Sequence, residues 1–134
     1  PALNELASQA EVRGDLSCSL DVEEPFARLS EETARHLYRI AQEAVGNAIK
    51  HAEPSELWIR LRRIDGSVVL AVEDDGAGCE EPTDGDMGLG MRTMRHRARL
   101  IGGTLTVNER DEGGTVVRCQ CSSSRSPSAT PTQQ

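Results

Sequence analysis

The feature that most limits the fold of this chain is a pair of hairpin signals. Asp65-Gly66 joins two runs, residues 57–64 and 68–73, and in the first Leu57, Ile59 and Leu61 alternate with Trp58, Arg60 and Arg62. An Asp-Gly pair between such runs suits a two-residue turn that closes antiparallel strands. Asp111-Glu112-Gly113-Gly114 joins two further strand-like runs, residues 104–109 and 115–121. Parallel neighbours need a crossover of a dozen or more residues, so these hairpins exclude a doubly wound parallel sheet. The run 68–73 is apolar on both sides, which predicts a central strand. Residues 14–20 alternate weakly through Leu16, Cys18 and Leu20 and read as an edge strand.

Two helices pack against these strands. In residues 37–51 (LYRIAQEAVGNAIKH), Leu37, Ile40, Ala41, Ala44, Val45, Ala48 and Ile49 form the buried stripe of an amphipathic helix. Ser30 is placed to cap it, and Glu31 and Glu32 complement the dipole of its first turn. Glu53-Pro54-Ser55 ends it. A second helix opens at Gly88-Leu89-Gly90, carries Met91, Met94, Ala98 and Ile101 at helical spacing, and stops at Gly102-Gly103. The expected fold is α+β: a two-layer α/β sandwich whose mixed, mostly antiparallel sheet carries its helices on one face. Residues 10–121 make one domain, residues 1–9 a linker or helix end, and residues 122–134, rich in Ser, Thr, Pro and Gln, a disordered tail. The acidic stretch 79–87, with Pro82 and Gly85, reads as a mobile loop.

Composition narrows the partners. A net charge of −7 argues against nucleic acid, which must be met by Lys and Arg. None of the four cysteines forms a CxxC pair, so neither zinc nor a disulfide framework is expected. No apolar run is long enough to span a membrane and no signal peptide is evident, so no direct membrane contact is expected. The chain opens on Pro1 rather than Met, as an excised piece of a longer protein would.

Four stretches carry candidate chemistry. On the first helix Glu43, Asn47 and Lys50 share one polar side. A carboxylate and an amide oxygen suit Mg²⁺, which takes one or two protein oxygens beside water and phosphate, and a lysine suits the phosphate itself. A solvated face gives the same pattern, so the helix alone assigns nothing. Asp74-x-Gly76-x-Gly78 follows a hydrophobic strand directly. There an aspartate can accept from an exocyclic amine, and the glycines let a ligand approach the backbone. Gly88-Leu89-Gly90 at a helix start offers free N–H groups to an anion. It is neither a Rossmann fingerprint nor a Walker A loop, for the third glycine and any GK[ST] are missing. Gly113-Gly114-Thr115 alone is no more than a tight turn.

Taken in order, QEAVGNAIKHA, DDGAG, GLGMRTMRHRARLIGG and GGT closely resemble the nucleotide-binding domain shared by gyrase, Hsp90, histidine kinases and MutL, the GHKL superfamily with the Bergerat ATP-binding fold. The resemblance covers residues 10–121 and is nearest to sensor histidine kinases paired with LuxR-type response regulators. It implies that Asn47 and Glu43 hold Mg²⁺, with Glu43 the catalytic base or polariser. It implies that Lys50 and His51 face the phosphates of ATP. Asp74 would recognise the adenine amine, with Gly76 and Gly78 shaping the pocket floor. Gly88, Leu89 and Gly90 would meet the phosphates, and Thr115 would back the adenine site. The implied activity is ATP-dependent phosphorylation of a histidine on a separate dimerisation domain, followed by signalling to a response regulator. The implied location is cytoplasmic, as a free domain or as the cytoplasmic part of a membrane-bound sensor. On this reading residues 1–9 end the dimerisation helix, and none of His36, His51 or His96 stands in the acidic helical context of a phosphoacceptor. Two other readings share the resemblance: a nucleotide-binding regulatory module without phosphotransfer, and an anti-sigma-factor serine kinase. Most of Arg92, Arg95, Arg97 and Arg99 read as a solvated face.

Overall fold

The computed structural model describes residues 2–23, 29–76 and 86–122. The order is α1 (Ala2–Gly14), β1 (Ser17–Val22), α2 (Glu31–Asn47), a wide π turn (Ala48–Ala52), β2 (Glu56–Ile64), β3 (Ser67–Asp74), α3 (Asp86–Leu100), β4 (Thr104–Glu109) and β5 (Thr115–Ser122). The expectations for Gly78, the loop 79–85 and the tail 123–134 lie outside the described residues. Among those described, no helix is long and apolar enough to cross a membrane.

The five strands form one sheet in the order β1-β2-β3-β5-β4, with β3 at the centre. Both hairpins are antiparallel, as the turn residues require. Asp65 (φ 46°) and Gly66 (φ 80°) supply the two left-handed positions that match the twist of the paired strands. Among the described residues only β1 pairs in parallel, with β2, and α2 is its crossover. The edge strand starts at Ser17, three residues later than its alternation suggests, because α1 runs on to Gly14.

Period-two alternation sends Leu57, Ile59, Leu61, Val68, Leu70 and Val72 towards the helices. There they meet Leu6 and Ala10 of α1, Ile40 and Val45 of α2, and Met94 and Ala98 of α3 in one core. Ile40 has no solvent exposure, so Ile40→Ala would cost about 2–5 kcal/mol. The Ser30 hydroxyl accepts from the Thr33 N–H at 3.0 Å and starts α2 as an N-cap. At the end of α3, Gly103 N–H donates to Ala98 O (2.8 Å) and Gly102 N–H to Arg99 O (3.0 Å), with Gly102 at φ 71°. This paired closure satisfies carbonyls that the helix leaves open.

Candidate functional site

The polar side of α2 and the start of α3 meet directly. Gly90 is buried so close to α2 that a Cβ there would lie 2.5 Å from Glu43 Oε2 and 3.1 Å from Asn47 Nδ2. Only a residue without a side chain lets the two helices approach this far with both polar groups kept in place. Glu43 and Asn47 are half-buried. Gly88, Leu89 and Gly90 fall within the first five residues of α3, which starts at Asp86 rather than at Gly88. In this first turn the N–H groups up to Gly88 have no intrahelical partner, while those of Leu89 and Gly90 enter the helix ladder.

The last turn of the helix departs from a regular spacing. Ala48–Ala52 widens into a π turn, with Glu53 N–H donating to Ala48 O at 3.1 Å. The residues after Asn47 are thereby rotated relative to a straight α-helix. His51, exposed at its outer edge, lines the cavity beyond, whereas Lys50 is exposed and does not. The turn is backed by Gly76, where a Cβ would lie 2.4 Å from Ala52 O.

That cavity, about 30 Å³, is lined by Asn47, His51, Asp74 and Thr115 and by apolar groups including Met91, Met94, Val107 and Val117. Asp74 ends β3 and faces the helices, with Thr115 of β5 as its cross-strand neighbour. They are 5% and 9% exposed, which makes them rare buried polar groups in an apolar layer. Asp74 Oδ1 accepts from the Gly76 N–H at 2.8 Å. Burial pushes the Asp74 carboxyl above the ordinary aspartate range, and Asp75 adds to this; N–H donors of Gly76 and Thr115 and the Arg110 charge pull it back. A buried carboxylate beside a hydroxyl, under a ceiling of methionine and valine, suits a flat apolar heterocycle with an amino group at one edge. The cavity is about a tenth of a small-ligand pocket, so a base enters it only as lining side chains such as Met91 shift. A larger cavity of about 540 Å³ lies elsewhere, between α1, β1 and α2, and among the described residues its lining, including Leu3, Leu20, Leu37 and Tyr38, carries no charged side chain.

Two residues without a part in the expected site help to build it. Asp75 Oδ1 accepts from the N–H groups of Ser55 (2.8 Å) and Glu56 (2.9 Å), clamping the chain after the π turn to the end of β3. Its sequence signal is the second Asp of the doublet, which otherwise reads as part of the turn. His36 is buried between α2 and α3, where Arg97 Nη1 donates to its Nδ1 at 3.2 Å. Burial, then the Arg97 charge, push His36 below the ordinary histidine range, so it is a neutral contact between the helices. Arg92, Arg95 and Arg99 are exposed, as expected of a solvated face.

A divalent cation fits this donor set on its chemistry. Among the described residues no group of three or more His, Cys, Asp or Glu side chains could hold a metal by itself. Mg²⁺ needs no such cage, since it is ordinarily bound through one or two protein oxygens together with substrate phosphates.

Residues 32–124 match the family described as histidine kinase-, DNA gyrase B- and HSP90-like ATPase. The chain is 35% identical over 117 residues to the nitrate/nitrite sensor protein NarQ of Escherichia coli, covering 87% of this chain and 21% of that protein. It is 34% identical over 114 residues to the sensor histidine kinase ComP of Bacillus subtilis, covering 84% of this chain and 15% of that protein. The chain therefore spans about a fifth or less of these relatives. Its fold superposes on the Erythrobacter litoralis EL346 blue-light activated histidine kinase with a TM-score of 0.74 at 28% identity, covering 91% of this chain and 41% of that one.

Proposed function

Since the chain belongs to the histidine kinase-, DNA gyrase B- and HSP90-like ATPase family, we propose that it is the ATP-binding catalytic domain of a two-component sensor histidine kinase. The observation that carries the reading is the packing of Gly90 against Glu43 and Asn47, one polar turn away from a cavity that holds Asp74 and Thr115. This sets a buried polar pair suited to an amino-bearing base beside a pair of oxygen donors suited to Mg²⁺. Asp74 accepts a hydrogen bond from the adenine amine and Thr115 backs it, with Gly76 at the floor and Gly78 assigned there by the family resemblance alone. The start of α3 at Gly88, Leu89 and Gly90 meets the phosphates, with Lys50 and His51 facing them. Asn47 and Glu43 would hold Mg²⁺, which would neutralise phosphate charge when bound.

The reaction asks little covalent chemistry of the protein. The acceptor nitrogen forms a bond to the γ-phosphorus, the γ-phosphorus–oxygen bond to ADP breaks, and ADP leaves. Glu43 polarises the acceptor or takes its proton. The rest is positioning, which can supply several kcal/mol of a barrier. The acceptor histidine belongs to a separate dimerisation domain, and the phosphoryl group passes on to a response regulator with a LuxR-type output. The domain works in the cytoplasm.

The test is phosphorylation with a dimerisation domain from a related kinase supplied together with ATP and Mg²⁺. Acid-labile phosphate on that domain, lost with Glu43→Gln, is expected. Acid-stable phosphate would point to a serine kinase, and none at all under saturating ATP to a regulatory module.

A further inference from the structure

We propose that Arg110, on the open face of the sheet opposite the helices, is a positioning residue for base recognition, holding the backbone behind Asp74 and Thr115. The proposal rests on the nucleotide-site reading and deepens it.

Strand alternation makes this sheet two-sided at its working end. Asp74 and Thr115 face the cavity, whereas their chain neighbours Glu73 and Val116 face the other way and pair across β3 and β5. Trp58 of β2 pairs with Glu73 on that same open face. Arg110, just past β4, folds back over this patch. Its guanidinium carbon lies 4.7 Å from the Trp58 ring centroid, within cation–π range. Its Nε stands 3.5 Å from Glu73 Oε1, and Arg60 holds the other oxygen of that carboxylate. Nη1 donates to Gly113 O at 3.0 Å and reaches Asp74 O at 3.5 Å, and Nη2 lies 3.4 Å from Glu112 Oε1. The side chain is only 17% exposed.

The partners are not scattered. They are the residue before Asp74, the carbonyl of Asp74 itself and the turn before Thr115. Gly114, at φ 108°, presses on the same carbonyl so closely that a Cβ there would lie 1.8 Å from Asp74 O. Arg110 N–H closes the turn onto Gly114 O at 2.9 Å. One fork of donors thus ties the β4–β5 turn, the end of β3 and Trp58 into a single unit, and the front of that unit is the recognition pair. A lysine keeps the charge and the stem but lacks the planar fork. The positive charge also favours the ionised form of Asp74 from behind, against its burial. The charges around Arg110 on this face are those of Glu73, Glu109, Asp111, Glu112 and Arg118, with Arg60 on the far oxygen of Glu73; Asp75 acts on Asp74, and His51 lines the cavity on the opposite side.

The experiment compares the wild-type chain with Arg110→Gln and Arg110→Lys in binding fluorescent ATP and GTP analogues with Mg²⁺, beside thermal unfolding. Arg110→Gln is expected to weaken ATP binding about tenfold while leaving GTP binding nearly unchanged, since a recognition pair released from its support loses its base preference first. Arg110→Lys should recover part of that preference. A folded Arg110→Gln that keeps the wild-type ATP-to-GTP ratio, even with both affinities reduced, overturns the proposal by making Arg110 merely structural. If the Gln variant does not fold, the ratio in Arg110→Lys decides, and an unchanged ratio there has the same meaning. A wild-type chain that binds neither nucleotide would instead remove the nucleotide-site reading, and this proposal with it.

Discussion

Gly90→Ala separates the stability of the fold from the geometry of its site. Gly90 lies within α3, and its φ is not positive, so alanine is allowed by the backbone. On helix propensity alone the change would stabilise by up to about 1 kcal/mol, worth a few degrees in melting temperature for a domain of this size. The new methyl, however, would lie 2.5 Å from Glu43 Oε2 and must drive it back to the 3.4 Å of ordinary contact. The carboxylate is the far end of a flexible side chain, so it can retreat without unfolding anything. A misplacement on the order of 1 Å in a reacting group can cost about 100-fold in rate, or about 2.7 kcal/mol of transition-state stabilisation. The expected result is a melting temperature equal to or above wild type, with phosphotransfer to a supplied acceptor domain reduced about 10- to 100-fold. Gly46→Ala is the control, because a Cβ at Gly46 meets nothing within 4 Å. It should gain similar stability and lose no rate. A Gly90→Ala chain with full activity would refute the role of Glu43 in its observed position. A marked fall in melting temperature would show that Gly90 serves the fold instead.

Gly114→Ala should behave in the opposite way: it combines a left-handed φ with backbone contact on Asp74, so a loss of about 2–5 kcal/mol is expected in urea unfolding, and an unchanged midpoint would contradict it. Asp74→Asn should abolish nucleotide binding yet gain stability relative to wild type at neutral pH. Burial raises the Asp74 carboxyl above its ordinary value, so its contribution to stability is present below that value and lost as pH rises through the folded one. The advantage of Asn over Asp should therefore close as pH falls towards 3.8, and a gap independent of pH in thermal melts would speak against a strained carboxylate. Burial pushes the Cys119 thiol up to about 12 and that of Cys18 up to about 11. Iodoacetamide at pH 8 should leave Cys119 unmodified until denaturant is added, as read by peptide mass mapping.

The parts legible in the sequence are those fixed by local chemistry. Asp65-Gly66 predicts its hairpin because two successive left-handed residues are needed there and few pairs supply them. Ser30 predicts the start of α2 because the hydroxyl serves an N–H three residues on. The buried stripe of α2 and the alternation of β2 likewise carry their partners' direction. What the sequence does not display depends on meetings across the fold. The π turn at Ala48–Ala52 uses ordinary helix formers, and its widening accompanies contact between Ala52 and Gly76. A helical wheel therefore aligns Lys50 with Asn47, whereas the folded turn brings His51 to the cavity. Asp75 and Arg110 look like surface charges until Ser55, Trp58 and Glu73 are brought beside them. The parallel register of β1 on β2 also depends on how α1 and α2 pack, not on the weak pattern of β1 itself.

The central claim is tested most directly by titrating the chain with a fluorescent ATP analogue, with and without Mg²⁺, beside Asn47→Ala and Asp74→Asn. The account predicts binding strengthened by Mg²⁺, a metal effect lost in Asn47→Ala, and no binding in Asp74→Asn. ATP affinity that is indifferent to Mg²⁺ and survives both substitutions would contradict it.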